Sequence, residues 1–234
     1  FAFDWNLLQR LLRFGIPGSL QFTLDILSFT IFLLIVGRIG IIELAATNIV
    51  ISINSVTFMP SMGVSQGISV MIGQALGRQD VDAAKRSVWS AIHMLLGYIL
   101  VVDLIFIFFP EQILSPFIQS GINPANQEAI MTVGAQLLMI VSAYILLDAM
   151  YMVFSGALKG AGDTRFLMIC VGCTSIVLFI LPVYVGITWF DMGIGGAWLC
   201  VLSFVIGLFL LSAGRYRIGK WQKMLVIEKE YRKS

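Results

Sequence analysis

Along this chain polar positions gather in short gaps between long apolar runs. No charge falls between Leu44 and Gly77, Leu167 and Phe190, or Met192 and Gly214, and about 20 apolar residues suffice for a helix to cross the roughly 30 Å hydrocarbon core of a bilayer. The pattern predicts six spans, at about 17–37, 44–76, 86–109, 127–158, 164–189 and 193–213. Residues 1–16 read as a helix lying in the interface, because Trp5, Leu8, Leu11 and Leu12 share one helical face beside Arg10 and Arg13. Residues 214–234 read as a basic cytoplasmic tail. The expected architecture is an all-α integral membrane protein, one six-helix transmembrane bundle, with the lipid bilayer around it.

The cations give an independent test of this threading, since short cytoplasmic loops are rich in Lys and Arg. Arg10, Arg13, Arg78, Lys85, Arg86, Lys159 and Arg165 fall on one side, together with Arg215, Arg217, Lys220, Lys223, Lys229, Arg232 and Lys233 of the tail. The other side receives Arg38. Six spans then place both ends in the cytoplasm and the protein in the plasma (inner) membrane.

Composition agrees: 59% of residues are hydrophobic and 12% charged, about half the charge of an ordinary soluble domain. A net charge of +2 spread over several loops offers no nucleic-acid surface. Cys170, Cys173 and Cys200 lie inside apolar runs and read as small hydrophobes rather than metal or redox groups. No cofactor is expected beyond a coupling ion. The first residues, FAFDWNLLQRLLRFG, lack the pattern of a cleaved signal peptide, and the chain does not begin with Met, so a processed or cropped chain is expected.

The second span is the least uniform. Pro60 sits mid-helix, and Gly63, Gly67, Gly73 and Gly77 follow among Ser61, Ser65, Gln66 and Gln74. Proline removes a backbone donor and glycine admits a close neighbour, so this span should be bent and closely packed, as a hinge or cavity wall. Pro182 in the fifth span is read the same way.

Three carboxylates, Asp25, Asp103 and Asp148, interrupt apolar spans, and an ionised group at the helix centre costs about 2.5–3.5 kcal/mol on insertion scales. At about 1.5 Å per residue, Asp25 lies about 12 Å into its span and Asp148 about 15 Å from the end of its own, both near the midplane. Asp103 is two turns from Pro110 and reads as structural, close to the external headgroups. Tyr144 and Asp148 are four apart and share a helical face. Asp25, Tyr144 and Asp148 thus form a candidate oxygen-rich site for a proton or a hard cation such as sodium.

Other polar groups carry weaker readings. The lone histidine, His93, reads as packed; with Ser155 it would make a nucleophile pair for an intramembrane protease, but no third orienting group accompanies them, and no enzyme is expected. Gly160, Gly162, Asp163, Thr164 and Arg165 read as a rigid cytoplasmic elbow in which Asp163 or Thr164 caps the next helix.

The segments GALKGAGDTRF (Gly156 to Phe166), ELAATNIV (Glu43 to Val50) and FMPSMGVSQGISVMIGQALGR (Phe58 to Arg78) together resemble the second half of multidrug and toxic compound extrusion transporters. The resemblance covers nearly the whole chain and implies one lobe of a twelve-helix transporter, partnered by an amino-terminal six-helix lobe around a central cavity. It implies antiport, exporting small, amphipathic and often cationic compounds while sodium or protons return. In the sodium-coupled branch an acidic residue on the seventh span, with a Tyr and an Asp four apart on the tenth, holds the cation; these match Asp25, Tyr144 and Asp148, although the branch carries Glu where this chain has Asp25. Phe58, Met59, Met150, Tyr151 and Phe154 are then candidates for an adaptable apolar substrate wall. Two other readings stand beside this one: a flippase of lipid-linked precursors, which would need intramembrane cations that the spans do not supply, and a non-transporting scaffold subunit.

Overall fold

The computed structural model describes residues 5–118 and 123–223; Lys229, Arg232 and Lys233 of the tail lie outside the described residues. Six apolar helical segments are long enough to cross a membrane. Helix α1 (Trp5–Val36) is followed by α2 (Ile41–Gly77), α3 (Val81–Phe108), the short α4 (Pro110–Leu114) and α5 (Pro124–Gly160). A fifth segment is composite, α6 (Thr164–Thr174), a π turn (Ser175–Ile180) and α7 (Leu181–Trp189), and α8 (Ile194–Ile218) completes the bundle.

The stretch expected to lie separately in the interface is continuous with the first span. Helix α1 runs from Trp5 through Pro17, because Leu, Arg, Gln and Phe before the proline are compatible with helix and no glycine pair or cap stops them. The 37-residue helices α2 and α5 exceed the length a perpendicular span needs, which requires tilt or protrusion from the bilayer.

Local chemistry sets the ends. Asp80 caps α3, its carboxylate accepting from the Ala83 N–H at 2.8 Å; Asn123 caps α5 at 3.1 Å from the Ala125 N–H, with Pro124 in the first turn. The elbow after α5 closes as a paired-hydrogen-bond helix end, Gly162 N–H to Lys159 O and Asp163 N–H to Leu158 O, both 2.9 Å, and Gly162 takes φ 86°, where a side chain would be strained. Neither Asp163 nor Thr164 caps α6 with its side chain as the sequence suggested: Asp163 makes no cap hydrogen bond, and the Thr164 hydroxyl is buried without a partner. Asp163 instead accepts from Arg215 Nε of α8 at 2.7 Å, a charge-assisted bond stronger than a neutral cap.

Helix α5 is the centre of the bundle, packing chiefly on α2 and then on α8 and α3, while α1 leans on α6 rather than on α5. The α2–α5 seam is close, but by different residues than expected. A Cβ added at Gly156 would lie 2.4 Å from the Ser65 carbonyl oxygen, and one at Gly160 2.3 Å from that of Ser69, whereas Gly63, Gly67 and Gly77 of α2 face open space. Gly73 of α2 does face α5, a Cβ there lying 3.4 Å from the Gly160 carbonyl oxygen, but the tightest approaches are at the α5 glycines, and α2 contributes a serine edge: Ser65 Oγ donates to the Met152 carbonyl at 2.7 Å. Small residues replace apolar bulk because lipid supplies no hydrophobic drive between helices.

Elsewhere Phe32, Phe179, Trp198 and Phe204 form a buried aromatic cluster, with centroids 5.2 Å apart for Phe32 and Phe179 and 5.1 Å for Phe179 and Phe204. Helix α2 continues through Pro60. At Pro182 the chain loosens into the π turn immediately before it, and the Leu178 carbonyl, four residues upstream of the proline, accepts from Ser203 Oγ of α8 at 3.3 Å. A proline cannot bond that carbonyl, and in lipid a neighbouring helix must.

Candidate functional site

The candidate site is held between α1 and α5. Tyr144, Asp148, Tyr151, Ser155 and Lys159 fall within about 80° of one another around α5 at 100° per residue, a polar stripe running toward the elbow. Gln21 and Asp25, one turn apart on α1, face it. Gln21 and Tyr151 are each 3% exposed, and Gln21 Nε2 donates to the Tyr151 hydroxyl at 3.2 Å. Helix α1 points its side chains back toward its Trp5 end and the antiparallel α5 points its own back toward its Pro124 end, so groups from the two helices converge at the level of Tyr151.

Within this cleft Asp25 lies in electrostatic reach of both Asp148 and Lys159. Tyr151 interacts with Asp25, Asp148 and Ser155, and Tyr144, buried at 3% exposure, interacts with Asp148. Asp25, Tyr144 and Asp148, picked out in sequence by depth and spacing, therefore gather in one region. Three further members were missed. Gln21, Ser155 and Lys159 had a legible signal: Gln21 is four residues from Asp25, and Ser155 and Lys159 extend the Tyr144 and Asp148 spacing by helical steps. Lys159 adds to the sequence reading, which counted it only among the loop cations. It sits in the last turn of α5, partly buried, with its charge directed at Asp25.

The donor set suits a hard cation: carboxylate, phenol, hydroxyl and amide oxygens are the ligands such ions prefer. Among the described residues no group of three or more His, Cys, Asp or Glu could hold a metal. Two carboxylates must therefore be supplemented by neutral oxygens.

The proposed apolar wall is divided. Phe58 and Met59 line an open groove with Phe22, Ser55, Met62 and Gln66, between α1 and α2. Tyr151 belongs to the polar cleft instead, and Phe154 packs on α8, 6.2 Å from Phe209 and 5.2 Å from Tyr216 between centroids. Met150 is partly buried against the core. Phe22 and Met62 were not foreseen; they join the groove because α1 and α2 lie side by side there.

The other candidates separate. His93 is exposed on α3, its Nδ1 2.7 Å from the Trp89 carbonyl oxygen, and Ser155 is buried at 2% exposure on α5, so no nucleophile pair is seen. Asp103 is half-buried on α3, and its Oδ1 is buried without a hydrogen-bond partner. The three cysteines are free.

An apolar six-helix bundle with a charged cleft between two helices defines a multi-pass membrane protein. The MatE family profile matches residues 17–185, and the chain belongs to the MatE family. It is 30% identical over 208 residues to the probable multidrug resistance protein NorM of Rhizobium meliloti, covering 88% of this chain and 43% of that protein. It is 29% identical to the multidrug resistance protein MdtK of Yersinia enterocolitica, covering 88% of this chain and 44% of that one. Among solved structures, a MATE in complex with MaD3S superposes with a TM-score of 0.81 at 18% identity, over 95% of this chain and 48% of that one. A MOP superfamily transporter from Pyrococcus furiosus, described as having a binding pocket of reversed polarity, gives 0.80 at 20% identity, over 95% and 49%. The chain thus spans less than half the length of the curated relatives it matches.

Proposed function

We propose that the chain is the carboxy-terminal lobe of an antiporter that exports amphipathic organic cations and related drugs, coupled to inward movement of sodium or protons. In this reading it works in the plasma membrane, both ends cytoplasmic, against a second six-helix lobe, and Asp25, Tyr144 and Asp148 form the coupling site. One observation carries the reading: two carboxylates on different helices, Asp25 and Asp148, face one polar cleft inside an apolar bundle, with the charge of Asp148 acting on Asp25. Mutual repulsion on two separately packed helices is relieved when a positive charge enters between them. A cation then draws α1 toward α5 and reshapes the groove along the other side of α1, lined by Phe22, Phe58, Met59 and Met62. Drug affinity changes by no more than the difference in cation affinity between the two arrangements.

The lipid-precursor reading finds little support. Lys159, the one cation whose charge acts on Asp25 among the described residues, lies in the field of that carboxylate, which favours a cationic or neutral cargo over a pyrophosphate.

The test is efflux from vesicles holding the complete transporter that carries this lobe, with an imposed sodium or proton gradient, comparing wild type with Asp25→Asn and Asp148→Asn. Gradient-driven efflux should vanish in both while insertion and melting temperature stay near wild type. Efflux surviving both substitutions would sink the assignment.

A further inference from the structure

The buried groups that the coupling site leaves unexplained include one pointed feature. Gln21 Oε1 is an acceptor without a hydrogen-bond partner in a side chain that is 3% exposed, and leaving such a group unpaired costs about 1–3 kcal/mol. Its amide nitrogen is committed to Tyr151 at 3.2 Å, which fixes the direction of the oxygen. A leucine at this position would fill the same space without that cost. The oxygen is therefore placed for a positive partner that comes and goes.

We propose that the Gln21 side-chain oxygen is a ligand of a hard monovalent metal cation of the sodium class, held between Asp25 on its own helix and Asp148 on α5. The inference rests on the cation-coupling reading above and adds to it a residue that decides metal ion against proton. Three arguments converge. With two carboxylates and no third acidic, His or Cys ligand nearby, a metal ion needs neutral oxygens, and the orphan amide oxygen one turn from Asp25 is one. With its nitrogen turned to Tyr151, the amide leaves its oxygen as an unpaired acceptor; a metal ion needs several such neutral oxygens, whereas a proton is held by a single carboxylate and needs none of them. Finally, the fixed charges balance for one monovalent ion: Asp25 and Asp148, when ionised, carry two negative charges, and Lys159, engaged with Asp25, offsets one. Tyr151, bonded to Gln21 and beside Ser155, positions the amide rather than binding the ion.

The experiment is thermal melting of the complete purified transporter in detergent, titrated with sodium chloride against choline chloride at equal ionic strength. A ligand that binds the folded state raises the melting temperature in a saturable way. In wild type sodium should stabilise; in Gln21→Met, similar in size but without the oxygen, the half-saturating sodium concentration should rise at least tenfold. Gln21→Glu, which restores an oxygen, should bring it back to the wild-type value or below. An unchanged half-saturation in Gln21→Met, with Asp148→Asn losing the response, overturns the role of Gln21 and keeps the carboxylate site. No sodium response in wild type overturns the metal-ion assignment, and gradient-driven efflux then tells whether coupling through the carboxylates survives with protons. If Gln21→Met does not fold, Gln21→Asn, which withdraws the oxygen by one methylene, is read by the same two outcomes.

Discussion

Helix α5 presents two faces about a third of a turn apart, built on opposite principles. Toward α2 it offers Gly156 and Gly160, and the partner backbone sits where their side chains would be. Toward α1 it offers Asp148, Tyr151, Ser155 and Lys159, met by a single buried side-chain bond from Gln21, while α1 takes its main packing from α6. The first face has no room for adjustment, because a closely packed seam is bistable or fixed but not deformable. The second has charge, unpaired oxygen and few contacts. The contrast places stability in one seam and responsiveness in the other, so substitutions on the two faces should separate loss of fold from loss of coupling.

The largest effect expected is from Gly156→Leu. A side chain there meets the Ser65 backbone at 2.4 Å from its first atom, which α2 cannot yield without parting from α5, so little folded protein should be recovered by size-exclusion chromatography in detergent. Normal recovery would mean that the seam is looser than described. Next is Arg215→Ala, which strands Asp163, 8% exposed in its side chain, without its cation; breaking a buried pair costs about 3–5 kcal/mol. Chemical denaturation should show it, with partial recovery in Asp163→Asn paired with Arg215→Gln. Ser203→Ala is milder: it removes one exposed hydroxyl proton shared between the Cys200 carbonyl at 2.9 Å and the Leu178 carbonyl at 3.3 Å, at a cost of about 1 kcal/mol or less, a drop of a few degrees at most in a thermal melt. The smallest change in stability, within about 0.5 kcal/mol of zero, is expected for Asp25→Asn on the responsive face, where transport should nonetheless be lost. A large destabilisation there would erase the division between the faces.

Much of this was legible in sequence, and unevenly. Six spans and their charge asymmetry follow from solvation, which acts residue by residue. The grouping of Asp25, Tyr144 and Asp148 followed from depth and an i, i+4 spacing, which are also local. What failed depended on which helix meets which. The glycines of α2 looked like the contact surface because they are numerous, yet Gly156 and Gly160 of α5 make its tightest approaches, since helix rotation is set by the whole bundle. The nearness of Lys159 to Asp25 was equally hidden, since the two lie on different helices and only the meeting of α1 with α5 brings their charges into each other's field. Tyr151 and Phe154, three apart, were assigned to one wall, but Tyr151 turns to α1 and Phe154 to α8.

Many hydroxyls of the spans bond to their own helix: Ser28 to the Leu24 carbonyl, Ser52 to Asn48, Ser55 to Ile51, Thr132 to Glu128 and Ser175 to Val171. Such a bond ties each hydroxyl to a carbonyl one turn back on the same helix, so the polar group is provided for before any other helix arrives. Each span can therefore be threaded into lipid as a finished piece, and polar bonds between helices, such as that from Gln21 to Tyr151, are free to act as late fasteners between pieces already made.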